Sequence, residues 1–266
     1  MLGGFLCSCS QKPEKEHIVS SFSAKERLIL EQFFQVLVKS DGLGNVLFGS
    51  KPISLSGYFH SVPMGNMLYG SSSYAIKRGW HVWQKYEKLF DHPEYIIFAE
   101  NMPVGDFAIC SIYFMNKRSV LEIVNKHREL FEKELGKDFD PNIFLDTIEK
   151  NHTLLSLLNH NEGLLGILLG YGAESSTNYH QRYLVWELGL PLTYSDADFQ
   201  AVTFDYASSF ITAIHPIAFS GNPHSPEVKS IIEQNIQERS KISDIYSEGN
   251  FLEITLSKIM ECPIDF

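Results

Sequence analysis

The chain lacks most of the features that announce a function. Cysteine occurs four times in 266 residues, too sparsely to staple a small domain in place of a core. Cys110 and Cys262 have neither a CxxC neighbour nor a histidine at ligand spacing, so no metal site is legible and both read as small buried hydrophobes. No apolar run approaches the roughly 18 residues that would span a bilayer. Cationic residues are also scarce: 22 Lys and Arg stand against 32 Asp and Glu, for a net charge of −10 and a pI near 5.5. Phosphate backbones are held by a local surplus of Lys and Arg. Only the pairs Lys77-Arg78 and Lys117-Arg118 concentrate positive charge, which argues against a nucleic-acid partner. Neither a Gly-x-Ser-x-Gly elbow nor a lysine-bearing phosphate loop is present.

What is present is a composition of 44% hydrophobic and 13% aromatic residues, enough to pack a full core and too apolar for disorder. The first residues stand apart from that composition. Leu6-Cys7-Ser8-Cys9 leads into Ser10 to Glu16, whose Ser, Gln, Lys, Pro and Glu cannot build a core. The tetrad resembles the lipobox of bacterial lipoproteins. That resemblance implies acylation at Cys9, a polar tether behind it, a place in the cell envelope, and action by binding or surface contacts, with membrane and protein as partners. A signal peptide needs a basic segment and about 7–15 apolar residues, whereas only Leu2 to Leu6 precede the tetrad. The expectation is therefore a truncated signal and tether over 1–22, with the true start upstream, and one globular domain over 23–266. A cytoplasmic location is the alternative.

Within 23–266 the pattern predicts a mainly helical α+β domain with a small antiparallel sheet. Ser23-Ala-Lys-Glu26 is a capping box, and Leu30, Phe33, Phe34, Leu37 and Val38 behind it share one helical face to about Ser40. Asn45 to Gly49 and Ile53 to Phe59 read as short strands. Tyr74 to Phe90 reads as a helix whose Trp80, Trp83, Tyr86 and Phe90 form an aromatic stripe for the core. Glu94 to Glu100 and Asp106 to Met115 read as a hairpin. Helices are expected over Arg118 to Leu135, from Pro141, over Thr153 to Leu169, over Tyr179 to Leu188, from Pro226 to near Gly249, and over Phe251 to Met260. Leu190 to Ser220 is ambiguous, with a strand expected near Ile211 to Ile217.

The segment most suggestive of chemistry runs from Asn159 to Ser176. Gly170-Tyr-Gly172 before a helix could bring amides to a phosphate, but Ser175 stands where a dinucleotide fingerprint wants its third glycine. The competing expectation is that Gly163 and Gly166 permit close helix packing and that Gly170 and Gly172 end a helix. This segment and Tyr246 to Leu256 resemble proteins of host-associated bacteria, a resemblance that brings no activity with it. His160, Glu162 and His180 are the candidates for a hydrolase-type site, the alternative to a binding protein. His152 and His160 lack the spacing of paired imidazole ligands. Asp196, Asp198 and Asp205 could in principle hold Mg²⁺, although Ser195 to Asp198 also reads as a helix start. Ser73, near His81, reads as a helix cap rather than a nucleophile. No cofactor is implied.

Overall fold

The computed structural model describes residues 21–59, 70–104, 107–188, 200–202, 214–215, 217–247 and 250–260. Cys7, Cys9, nearly all of the expected tether, Asp196, Asp198, Asp205 and Cys262 lie outside the described residues.

A three-stranded antiparallel sheet stands at the centre, in the order β1 (Ile53–Phe59), β3 (Phe107–Asn116), β2 (Tyr95–Val104). The β2–β3 hairpin and β1 were legible because their Ile, Phe, Tyr and Val suit a pleated, buried surface. Strand β3 has no polar face: Ile112, Tyr113, Phe114 and Met115 are all buried. Such continuous apolar character marks a strand covered on both sides, and the two clusters it joins show this directly. Ile97, Ile112 and Phe114 turn to one cluster, and Ile96, Phe98, Tyr113 and Met115 to the other.

The first cluster is built by α1 (Ala24–Ser40), α2 (Leu43–Phe48), α3 (Gly70–Tyr86) and the two C-terminal helices, α9 (Pro226–Ser247) and α10 (Phe251–Ile259). The Ser23–Glu26 capping box forms as expected. In α3, Gly79 lies where any side chain would collide with the Phe33 ring, so α1 and α3 pack ring against backbone. Trp83 stacks on Phe90 at 4.9 Å and meets Phe34 edge-on at 5.8 Å. The aromatic stripe is therefore core.

The second cluster is leucine-rich and is carried by α4 (Lys117–Lys126), α5 (Arg128–Leu135), α6 (Pro141–Asn151) and α7 (Glu162–Leu168), with α8 (Ala173–Glu187) packed on α7. Because both layers share one sheet, the described helices form one mainly helical α+β domain, as the pattern predicted. A short ribbon pairs β4 (Gln200–Val202) with β5 (Phe219–Gly221).

Several local expectations were wrong. Asn45 to Phe48 belongs to a helix that Gly49 caps, not to a strand, because Asn45, Val46 and Leu47 are all buried rather than alternating. The helix expected over Arg118 to Leu135 breaks at His127 into α4 and α5. Thr153 to Leu169 is a set of turns followed by α7, since Asn161 caps a fresh helix by accepting from Leu164 N at 3.0 Å. Helix α8 starts at Ala173, six residues before the expected Tyr179. Ser73 lies within α3 rather than capping it.

Candidate functional site

Between α7 and α8 the chain reverses over Leu169 to Gly172, with Gly170 at φ 81° and Gly172 at φ 84°, a region that glycine enters without strain. Gly163 and Gly166 let the two helices close. A Cβ on Gly166 would stand 2.6 Å from Ser176 Oγ, and one on Gly163 would stand 3.1 Å from His180 Cβ. The glycines thus serve the close packing expected of them, and they bring Ser176 and His180 against α7.

Both helix ends at this turn are capped by residues distant in sequence. The Glu227 carboxylate accepts from the amides of Ala173 and Glu174, both at 2.9 Å. An anion suits a helix N-terminus because the unpaired amides and the dipole both favour negative charge. These are the amides a phosphate would have used, and the protein's own carboxylate occupies them. At the other end Lys51 Nζ donates to the Leu169 carbonyl, the negative end of α7.

Lys51 is the residue that the sequence did not disclose. In Ser50-Lys-Pro52 it reads as part of a solvated turn, yet it is only 6% exposed. A Cβ on Gly42 would stand 3.0 Å from Lys51 Cε, so the bare glycine makes room for the stem, and the amine lies 5.1 Å from the centroid of the Tyr171 ring. Among the described residues it forms no ion pair. Glu238 is the charge that acts on it most, but that carboxylate is already engaged by Asn45 Nδ2 at 3.0 Å, Ser50 N at 3.0 Å and Ser50 Oγ at 2.7 Å. Burial pushes the Lys51 amine down to about 7, with Glu238 offsetting part of the effect. A buried amine that loses its proton near neutrality is unusual for a purely structural lysine.

The turn is also the wall between two cavities. One, of about 430 Å³, is lined by Lys51 together with Glu122, Lys126, His127, Glu227 and Glu238, and by Gly170 and Gly172 of the turn. Burial and the neighbouring Lys126 lower the His127 pKa, with Glu227 opposing them. The other, of about 320 Å³, is lined by Leu55, Leu165, Leu169 and Phe219, with Ser175, Ser176 and Glu162 as polar groups. Tyr171, which lies under the Lys51 amine, closes this second cavity by stacking on Phe219 at 5.5 Å.

Ser175 and Ser176 are each 2% exposed, and neither Oγ has a hydrogen-bond partner among the described residues. A buried hydroxyl without a partner costs about 1–3 kcal/mol. Two adjacent ones lie in the first turns of α8, on residues that line the second cavity. Nδ1 of His180 is likewise buried and unpartnered among the described residues.

Of the three sequence candidates, Glu162 opens α7 and lines the second cavity, His180 lies on α8 against Gly163 of α7, and His160 stands in the turn before α7. His160 is exposed, at φ 55°, and its backbone N–H closes the turn before α7 by donating to Leu155 O at 2.9 Å. His152 caps the end of α6 at φ 53° and stacks on Phe98, so it shares no helix with His160. His81 Nδ1 lies 2.7 Å from Lys77 O within its own helix, and among the described residues no acid is bonded to it. Among the described residues no three His, Cys, Asp or Glu side chains gather as metal ligands would. No family model, no curated protein and no solved structure matches this chain.

Proposed function

We propose that this is a lipid-anchored binding protein of the bacterial cell envelope, tethered through Cys9, that holds a small ligand in the cavity between α7, α8 and β5. The observation that carries the binding reading is the 320 Å³ cavity whose apolar wall bears two hydroxyls, those of Ser175 and Ser176, without protein partners among the described residues. Ligand sites combine an apolar concavity with a few convergent polar groups in this way. The anchor rests on the order of Leu6, Ser8, Cys9 and the polar stretch behind them.

Two measurements test the two halves separately. Intact-mass analysis of the protein expressed from its own upstream region should find an acylated species that Cys9→Ala abolishes; an unmodified wild type would overturn the anchor. Native mass spectrometry of the protein from its own source should find a bound small molecule that is lost in Ala218→Trp, which blocks the cavity at an exposed lining residue. Occupancy unchanged in Ala218→Trp, or no bound molecule in the wild type, would overturn the cavity reading.

The alternative, a hydrolase, draws on Ser176 and His180, four residues apart on α8 and so on one helix face. Neither Ser176 Oγ nor His180 Nδ1 bonds to any described residue, so no activated serine is assembled. Covalent labelling of Ser176 by a fluorophosphonate would favour the hydrolase over the binding protein.

A further inference from the structure

The two helix caps at the α7–α8 turn differ in what they need. Glu227 meets two amides, a complete arrangement for a carboxylate. Lys51 meets one carbonyl and a ring face, which leaves an ammonium with three donors short of acceptors. A carboxylate positioned to pair with it would be the ordinary solution for a buried lysine, and Glu238, although close enough to act on it, is spent on Asn45, Ser50 and Gln234. The amine also belongs to a residue lining a cavity of about 430 Å³, large enough for a small organic molecule. Three carboxylates and two other basic groups share that lining: Glu122, Glu227 and Glu238 with Lys126 and His127. With the His127 pKa lowered and the Lys51 amine drawn toward its neutral form, the three carboxylates outweigh Lys126, so the wall is net negative and disfavours an anionic guest.

We propose that Lys51 is a covalent capture site for small neutral aldehydes or ketones that enter this cavity. The amine nitrogen adds its lone pair to the carbonyl carbon, giving a carbinolamine. Loss of the former carbonyl oxygen as water leaves an imine, with no oxidant or reductant consumed. The step needs an unprotonated amine, which the burial of Lys51 supplies near neutral pH. Exposed lysines at that pH are protonated in all but about one molecule in 2,500. The site is separate from the cavity that carries the binding reading, so either can fail without the other.

The test is limited reductive alkylation of the full chain with propionaldehyde and cyanoborohydride at pH 7, read by peptide mass mapping. Lys51 should be modified at least about tenfold faster than the exposed Lys25, Lys88 and Lys150. The preference should vanish in denaturant, where all lysines titrate alike. Lys51→Met, checked for folding by circular dichroism, should lose the fast site while the surface lysines keep their rates. Modification that follows exposure, with Lys51 among the slowest, would overturn the proposal. So would a fast site that persists in Lys51→Met.

Discussion

On one face of the sheet Trp83 is enclosed by Phe34 and Phe90, and α1 meets α3 ring against backbone. On the other face α7 meets α8 through glycines, a lysine amine is buried without an ion pair among the described residues, and two cavities flank the connecting turn. Both faces contain an orphaned polar atom, since Trp83 Nε1 has no partner among the described residues either. The difference lies in its surroundings. Trp83 sits among packed rings whose burial outweighs one lost hydrogen bond, whereas Ser175 and Ser176 sit on a cavity wall that gains no such packing. One face is closed by packed rings, and the other leaves buried hydroxyls unpartnered among the described residues beside a cavity, the feature on which the proposed binding function rests.

The largest test of that contrast is truncation on each side. Trp83→Ala should cost about 3–5 kcal/mol in urea unfolding, while Leu165→Ala, which already borders a cavity, should fall at the low end, about 2 kcal/mol. Equal losses would erase the distinction between the faces.

Lys51 gives the next largest effect, and its sign is fixed. Its folded pKa of about 7 lies below the unfolded value. Between about pH 7 and 10 the unfolded chain therefore binds the extra proton, and stability rises with pH. The wild type should gain about 2 kcal/mol from pH 7 to pH 9 relative to Lys51→Met, in which this component of the slope is absent. Parallel pH profiles for the two proteins would show that the amine titrates normally.

A smaller effect is expected at the opposite cap. Glu227→Gln keeps the shape but removes the charge at the N-terminus of α8, and it should cost about 1 kcal/mol. Hydrogen exchange should locate the loss at Ala173 and Glu174; a uniform loss across the sheet would mean that Glu227 acts elsewhere.

This contrast also sets how much of the molecule was legible in the sequence. Most of the first face was readable because its information is local: a capping box, aromatics at helical spacing, and a hairpin rich in β-formers. The errors fall where burial comes from distant partners. Asn45 to Phe48 is packed by α9 and the sheet, and so forms a helix where a short apolar run suggested a strand. His160, Glu162 and His180 were singled out together because they crowd a glycine-rich stretch, and the fold distributes them over the turn before α7, α7 and α8. Lys51 could not be found. Its burial depends on Gly42, Gly170 and a carbonyl 118 residues away, and nothing in Ser50-Lys-Pro52 encodes that distance.

The most direct test of the central claim is the stability of the ligand-free double variant Ser175→Ala/Ser176→Ala, measured by urea unfolding against the exposed helical control Ser240→Ala. If the two hydroxyls are retained for binding, removing them relieves buried unpaired groups, and the variant should exceed the wild type by about 1 kcal/mol more than helix propensity alone provides. A double variant less stable than the wild type would contradict the account, because the hydroxyls would then be holding the fold rather than awaiting a ligand.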